Sequence, residues 1–224
     1  MAIEINNEVV HTPPLPSATV MLLRDAPEGL QVLLMRRHAA SGVLGGVHVF
    51  PGGKLDPDDL AHPSPDVPPA LLSALAEPAL DAATAAALYL AAVRETWEEV
   101  GVMVGEPGDI GTNPSPSWQA FQARGIEPPL GRLSYLGRAI TPSVQPIRFH
   151  ARFFAVDAAL AHGEPRPSGE LHDVQWVPLA DVQGLEVMAV TLLMLEALSR
   201  QLHARDTRAA FLCVPRGQRR VLWV

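Results

Sequence analysis

Residues 82–100 constrain this chain more than any other stretch. From Ala82 to Val93 the segment is small or apolar and uncharged, and Arg94-Glu95-Thr96-Trp97-Glu98-Glu99 then crowds four charges in front of Val100 and Gly101. Its Ala- and Leu-rich composition, with Asp81 at the N-cap and Gly101 at the position after the last turn, predicts a helix. Residues three and four apart on a helix are neighbours, so Glu95, Glu98 and Glu99 share one face. Three carboxylates that close repel one another, and the C-terminal end of a helix is already partly negative. A solvated acidic face is the plain alternative, but charges set against the dipole ask for another reason to be there. A bound cation supplies one, and hard oxygen ligands of this kind suit Mg²⁺ or Mn²⁺ rather than zinc. Arg94 is placed to neutralise or orient a carboxylate through bidentate hydrogen bonds.

The rest of the chain alternates strands with a few helices. Residues 17–23 and 30–36 read as a hairpin around the turn at Asp25–Gly29, and 47–50 as a short strand ending at Pro51-Gly52-Gly53. The Pro- and Asp-rich stretch 56–69 reads as loop, with a short helix at 69–76. Further strands are expected at 102–104, 133–140, 147–156 and 174–177, and helices at 116–124 and 185–204. Residues 211–214 and 220–224 read as a terminal hairpin or tail. The pattern predicts helices packed on a mixed sheet, an α+β or α/β class.

Composition narrows the partners. Seventeen basic and 24 acidic residues give a net charge of −7, which argues against non-specific nucleic-acid binding and against anionic membranes. Cys213 is the only cysteine, so no intrachain disulfide or multi-cysteine zinc site is available, and it reads as a buried inert thiol. The first ten residues have no basic region followed by an apolar core, and no apolar run is long enough to span a bilayer; a cytoplasmic protein is the expectation. The sequence leaves a homodimer open.

Two glycines after a strand permit a tight turn with close backbone approach, and such a turn can offer a carbonyl to a metal or serve plain hairpin chemistry. Phe50-Pro51-Gly52-Gly53 together with Arg94-Glu95, Glu98-Glu99, Gly101 and Val102 resembles the signature of the Nudix hydrolase family: Gly, five residues, Glu, seven residues, then Arg-Glu-apolar-X-Glu-Glu-X-Gly-apolar. Three departures stand out. Asp59 occupies the place of the first glutamate, 34 residues rather than seven separate it from Arg94, and Thr96 replaces an aliphatic residue. An insertion at about 60–80 would be able to hold Asp59 away from the helix. The interrupted box, with Ile140-Thr141-Pro142, Arg148-Phe149 and Arg152-Phe153-Phe154, is similar to the branch that includes the peroxisomal coenzyme A diphosphatase.

The resemblance implies a Nudix fold, an α/β/α sandwich with a loop-helix-loop metal site. The chain length points to one domain over 1–224, with the insertion and a helical C-terminal extension at about 185–224; the resemblance covers roughly residues 17–182. It implies hydrolysis of a pyrophosphate within a nucleoside diphosphate linked to another moiety. Coenzyme A derivatives lead, ADP-ribose or NADH is the alternative, and a non-catalytic nucleotide-binding protein is the rival of another class. Glu95, Glu98, Glu99 and the Gly53 carbonyl are the expected metal ligands, with Arg94 orienting the glutamates. Glu98 and Glu99 carry catalysis with Arg94, and Glu170 is the candidate general base, ahead of Glu164. Arg36, Arg37, His48 and Arg148 are candidate substrate contacts; each has a structural alternative as a surface pair, a hydrogen-bonded histidine or an ion-pair partner. Trp118 and Phe121 stack on a base or pack in the core. Trp97 is expected in the core.

Overall fold

In the first hairpin, β1 (Leu15–Ala26) and β2 (Gly29–Arg37), apolar side chains alternate between two hydrophobic clusters. Ala18, Val20, Leu22, Leu33 and Met35 enter one, and Met21, Val32 and Leu34 enter the other. A sheet buried on both faces has to be apolar at successive positions, which is why these strands read as continuous hydrophobic runs. The computed structural model describes residues 12–37, 45–62, 80–167 and 171–224, together with Pro69, Ser73, Leu75 and Glu77.

Among the described residues β1 and β2 lie inside a nine-stranded mixed sheet. Its other members are β3 (His48–Val49), β4 (Gly52–Lys54), β8 (Ser134–Ile140), β9 (Phe149–Asp157), β11 (Leu171–Pro178), β12 (Ala210–Cys213) and β13 (Arg220–Trp223). The order is β11-β2-β1-β9-β8-β12-β13, with β3 on β2 and β4 on β1. The pairs β1–β9 and β12–β8 are parallel, and the remaining pairs are antiparallel. Two short ladders stand apart: β5 (Met103–Val104) with β10 (Ala161–His162), and β6 (Glu106–Pro107) with β7 (Ile126–Glu127).

Helices cover the two faces. After the short α1 (Pro57–Leu60), the long α2 (Ala82–Val100) packs Leu88, Tyr89 and Val93 into the first cluster, beside Trp118 and Phe121 of α3 (Pro116–Arg124). On the opposite face α4 (Ala189–Ser199) contributes Leu193, Met194, Ala197 and Leu198 to the second cluster. Each such leucine withdrawn from water is worth about 1.5–3 kcal/mol before entropy is counted. Among the described residues no helix is long and apolar enough to cross a membrane.

Two helices fall where the sequence placed them, at 82–100 and 116–124. Three details differ. Residues 56–60 are not plain loop: Asp56 and Asp59 form a reciprocal capping box that starts α1. Gly52–Lys54 continues as a strand on β1 instead of ending in a turn. The last long helix begins at Ala189, not 185, and its end widens into a π-turn over Arg200–Ala204. The expected helix at 69–76 lies mostly outside the described residues.

Register sets up a row of side chains on the α2 face. Gly53 is opposite Ala18, Ala18 opposite Arg152, and Arg152 opposite Arg138. Arg152 forks onto Glu77 at 3.0 and 2.7 Å, and Arg138 reaches the same carboxylate at 2.9 Å. Burial works to raise Glu77, but Arg152, with His150 and Arg138, holds it below the usual carboxylate range. Burial, helped by the charge of Arg152 and opposed by that of Glu77, pushes His150 down to about 4. Between that value and the ordinary 6.5 the unfolded chain takes up a proton that the folded one refuses. His150 therefore contributes stability above pH 6.5 that is lost as the pH falls toward 4. Melting curves from pH 7 to 4 are expected to fall less steeply for His150→Gln than for wild type; parallel curves would contradict the assignment.

Candidate active site

Five N–H donors of one arginine organise the end of α2. Arg94 Nε and Nη2 fork onto Asp59 at 2.9 and 3.0 Å, and Nη2 also donates to the Lys54 carbonyl at 2.8 Å. Nη1 donates to Glu95 Oε1 at 2.9 Å and to Glu98 Oε2 at 2.8 Å. A guanidinium has five N–H groups, and every one is used. The Arg94 side chain is 6% exposed and that of Asp59 0%. Asp59 is therefore brought to the helix although the two residues are 35 positions apart. The Asp56 N–H donates to Asp59 Oδ2 at 2.9 Å, so the α1 cap and the arginine fork hold the same carboxylate.

The electrostatics follow from burial. Burial pushes Asp59 above the usual carboxylate range, against the pull of Arg94. It does the same to Glu95, opposed by Arg94 and helped by the charge of Glu98. Burial alone would draw Arg94 down, but its bonds to Asp59 and the charges of Asp59, Glu95 and Glu98 prevail and keep it protonated.

The glycine turn meets this cluster from the sheet side. The Gly52 N–H donates to Glu99 Oε2 at 2.7 Å. A Cβ on Gly53 would sit 2.4–2.5 Å from the Glu95 carboxylate, so that group occupies the space a side chain would need. Neither glycine has positive φ; the requirement is room. Glu98 is held from a third direction by the Ser117 hydroxyl, 2.5 Å from Oε1. Thr96, at the usually aliphatic position, is fully buried and satisfies its hydroxyl on the Ala92 carbonyl at 2.8 Å.

Glu95, Glu98, Glu99, Arg94 and Gly53 thus converge, and Asp59 with them. Among the described residues no three Asp, Glu, His or Cys side chains are grouped as a ready ligand cluster; Glu95 Oε1, both oxygens of Glu98 and Glu99 Oε2 are engaged in the hydrogen bonds just given. The donor set is all hard oxygen around a glycine cradle, which fits a small divalent cation.

The other expected residues make contacts outside this hydrogen-bonded cluster. Arg36 bonds the Gly46 carbonyl at 3.1 Å and approaches Asp173 at 4.0 Å. His48 is buried, 3.4 Å from both the Glu186 carbonyl and Gln175. Arg148 donates to the carbonyls of Thr141 and Thr12, bracing the loop that Thr141 and Phe149 close. Trp118 and Phe121 are fully buried, as packing residues are. Trp97 is only partly buried, with Arg124 over its ring at 5.1 Å. Glu164 is exposed in its loop. Arg37 lies on β2, and nothing is assigned to its side chain; Glu170 lies outside the described residues. The sequence reading missed Ser117, whose place near a helix start looks like capping, and the Lys54 carbonyl, which carries no residue signal at all.

Comparison with known proteins identifies the family and the fold. The family described as the NUDIX domain matches residues 84–195. The crystal structure of a NUDIX hydrolase from Alicyclobacillus acidocaldarius is 30% identical, with a TM-score of 0.64, over 84% of this chain and 92% of that one. The NUDIX domain of Shewanella oneidensis NrtR, solved with ADP ribose, shares the fold at 16% identity and a TM-score of 0.51, over 85% and 90% of the two chains. The chain belongs to the Nudix family and is a hydrolase of that family. Its fold is the α+β sandwich that the resemblance implied.

Proposed function

We propose that the protein hydrolyses the pyrophosphate bond of a nucleoside diphosphate linked to a second moiety, using Mg²⁺ or Mn²⁺. The supporting observation is the meeting of distant segments, the Gly52-Gly53 strand, α1 and the α2 end, with Arg94 bonding the Lys54 carbonyl, Asp59, Glu95 and Glu98. Glu95, Glu98, Glu99 and the Gly53 carbonyl would hold the cation. When bound, such an ion neutralises phosphate charge and lowers the pKa of water.

The chain's own residues do the rest. Arg94 donates one N–H to Glu95 Oε1 and one to Glu98 Oε2, which holds both carboxylates in place. Its three remaining donors tie that arrangement to Asp59 and the sheet, so the glutamates are set before substrate arrives. The Gly52 N–H and the Ser117 hydroxyl orient Glu99 and Glu98 in the same way. Glu170 is our candidate to accept the proton of the attacking water.

Coenzyme A and its derivatives are the substrates we favour, on the resemblance of the interrupted box and the Thr141-Pro142 and Arg148-Phe149 segments. ADP-ribose is the second reading, because the similar Shewanella domain was solved with it. A panel of coenzyme A, ADP-ribose and NADH with Mg²⁺ and Mn²⁺ decides between them. Glu98→Gln is expected to lower turnover at least about 100-fold and to reduce the rise in melting temperature that either ion gives wild type. Equal turnover by the variant would remove Glu98 from the site. Glu170→Gln in the same panel should abolish the acidic limb of the pH–rate profile, and an unchanged limb would reassign the base.

A further inference from the structure

A groove of about 270 Å³ follows the end of α2, lined by Trp97, Glu98, Gly101, Arg166 and Pro167. Glu98 stands in its wall, so the groove opens onto the carboxylate turn. Arg166 crosses the helix end: its backbone N–H donates to the Val100 carbonyl at 2.9 Å, and a Cβ on Gly101 would come within 3.1 Å of Nε. Among the described residues no carboxylate pairs with its guanidinium. Arg124, over the Trp97 ring, donates to Met103 Sδ at 3.4 Å and likewise has no carboxylate partner among them.

In a chain with 24 acidic residues against 17 basic ones, two guanidinium groups near one tryptophan have no carboxylate partner among the described residues. A cation is favourable at a helix C-terminus, which accounts for one of them. The ring of Trp97 and the sulfur of Met103 engage the other, Arg124, but neither contact accounts for the open space between Arg166 and Glu98.

Building on the hydrolytic reading of the carboxylate turn, we propose that this groove receives the part of the substrate next to the scissile bond, and that Arg166 binds a phosphoryl group there. A planar guanidinium matches phosphate oxygens two at a time. Pockets that enclose a whole drug-sized ligand run from about 300 to 1,000 Å³. This groove is smaller and takes one phosphoryl-bearing portion of a nucleoside diphosphate. The group is either the pyrophosphate itself or a phosphate monoester elsewhere on the substrate.

Binding is measured first, without turnover. Inorganic pyrophosphate is titrated in EDTA into wild type, Arg166→Gln and Arg166→Lys, with melting temperatures recorded alongside. Arg166 is exposed, so both variants should melt like wild type. Glutamine is expected to weaken binding about fivefold to tenfold and lysine to recover part of the loss. Equal binding by all three, or none by wild type, overturns the proposal. Should Arg166→Gln fail to fold, the wild type and lysine titrations decide in the same way.

KM values for coenzyme A and its 3′-dephospho form then separate the two sources. A rise for both in Arg166→Gln assigns the pyrophosphate, and a rise for coenzyme A alone assigns the monoester. Unchanged values for both refute the groove. Absence of turnover by wild type counts against the hydrolytic reading instead, and the pyrophosphate titration still judges Arg166.

Discussion

Arg94→Lys, which preserves the charge, is expected to lower kcat by about 10- to 100-fold and to cost on the order of 3 kcal/mol of stability. Lysine presents three donors from one nitrogen, whereas the native fork spreads five over Asp59, Lys54, Glu95 and Glu98. An ammonium placed to serve Asp59 abandons the glutamates, and one placed to serve the glutamates leaves Asp59 buried without its partner. In a chain of this size the stability loss corresponds to a melting point lower by roughly 6–12 °C. Asp59→Asn discriminates further. Asp59 touches Arg94 and the α1 cap but none of the three glutamates in the hydrogen bonds seen here. Its loss should therefore weigh more on melting temperature than on kcat. Wild-type values of both quantities in Arg94→Lys would show that the five-donor arrangement does not matter.

Gly53→Ala is expected to cut kcat/KM by roughly 100-fold, because misplacing a reacting group by about 1 Å can cost that much. The added methyl would lie 2.4–2.5 Å from Glu95 carboxylate atoms, and the end of a side chain yields more easily than backbone. The fold should survive, with Glu95 pushed from its bond to Arg94. Gly52→Ala makes the opposite trade. Its methyl would meet the Ala18 carbonyl oxygen at 2.5 Å and Thr19 Cα at 2.7 Å, so the β1–β4 pairing itself must shift. Overpacking of that kind costs about 1–3 kcal/mol. Thermal melts and steady-state kinetics on the two variants test the contrast; identical behaviour would mean the two glycines do the same job.

What could be read from the sequence was what is encoded locally. Asp81 caps α2 on the Thr84 N–H at 2.7 Å, and Gly101 closes it at φ 69°, so both ends of that helix are visible in one dimension. The clustering of Glu95, Glu98 and Glu99 follows from helical spacing alone. The hairpin of β1 and β2 was legible from its apolar runs. Asp59 was not, because its contact with Arg94 closes over the intervening chain and depends on how α1 is capped. Gly52 and Gly53 look like turn residues, and only the approach of α2 reveals that they are wanted for the space they leave. Ser117 and Arg166 reach α2 from other parts of the chain, and neither sits in a pattern that announces it. Arg148 and His48 contact backbone carbonyls, and a sequence does not distinguish such bracing from ligand binding.

Because Arg94 clasps Asp59 directly, the length of chain between them has little leverage on the catalytic end of α2. The entropic cost of closing a chain segment rises by only about 0.6 kcal/mol for each doubling of its length, so extra residues ahead of Asp81 add little to the cost of bringing Asp59 to Arg94. Glu77, anchored on Arg152, divides the span and reduces even that. Changes in the length of the stretch between α1 and Glu77 are therefore expected to alter what lies beside the site more than the carboxylate end of α2 itself.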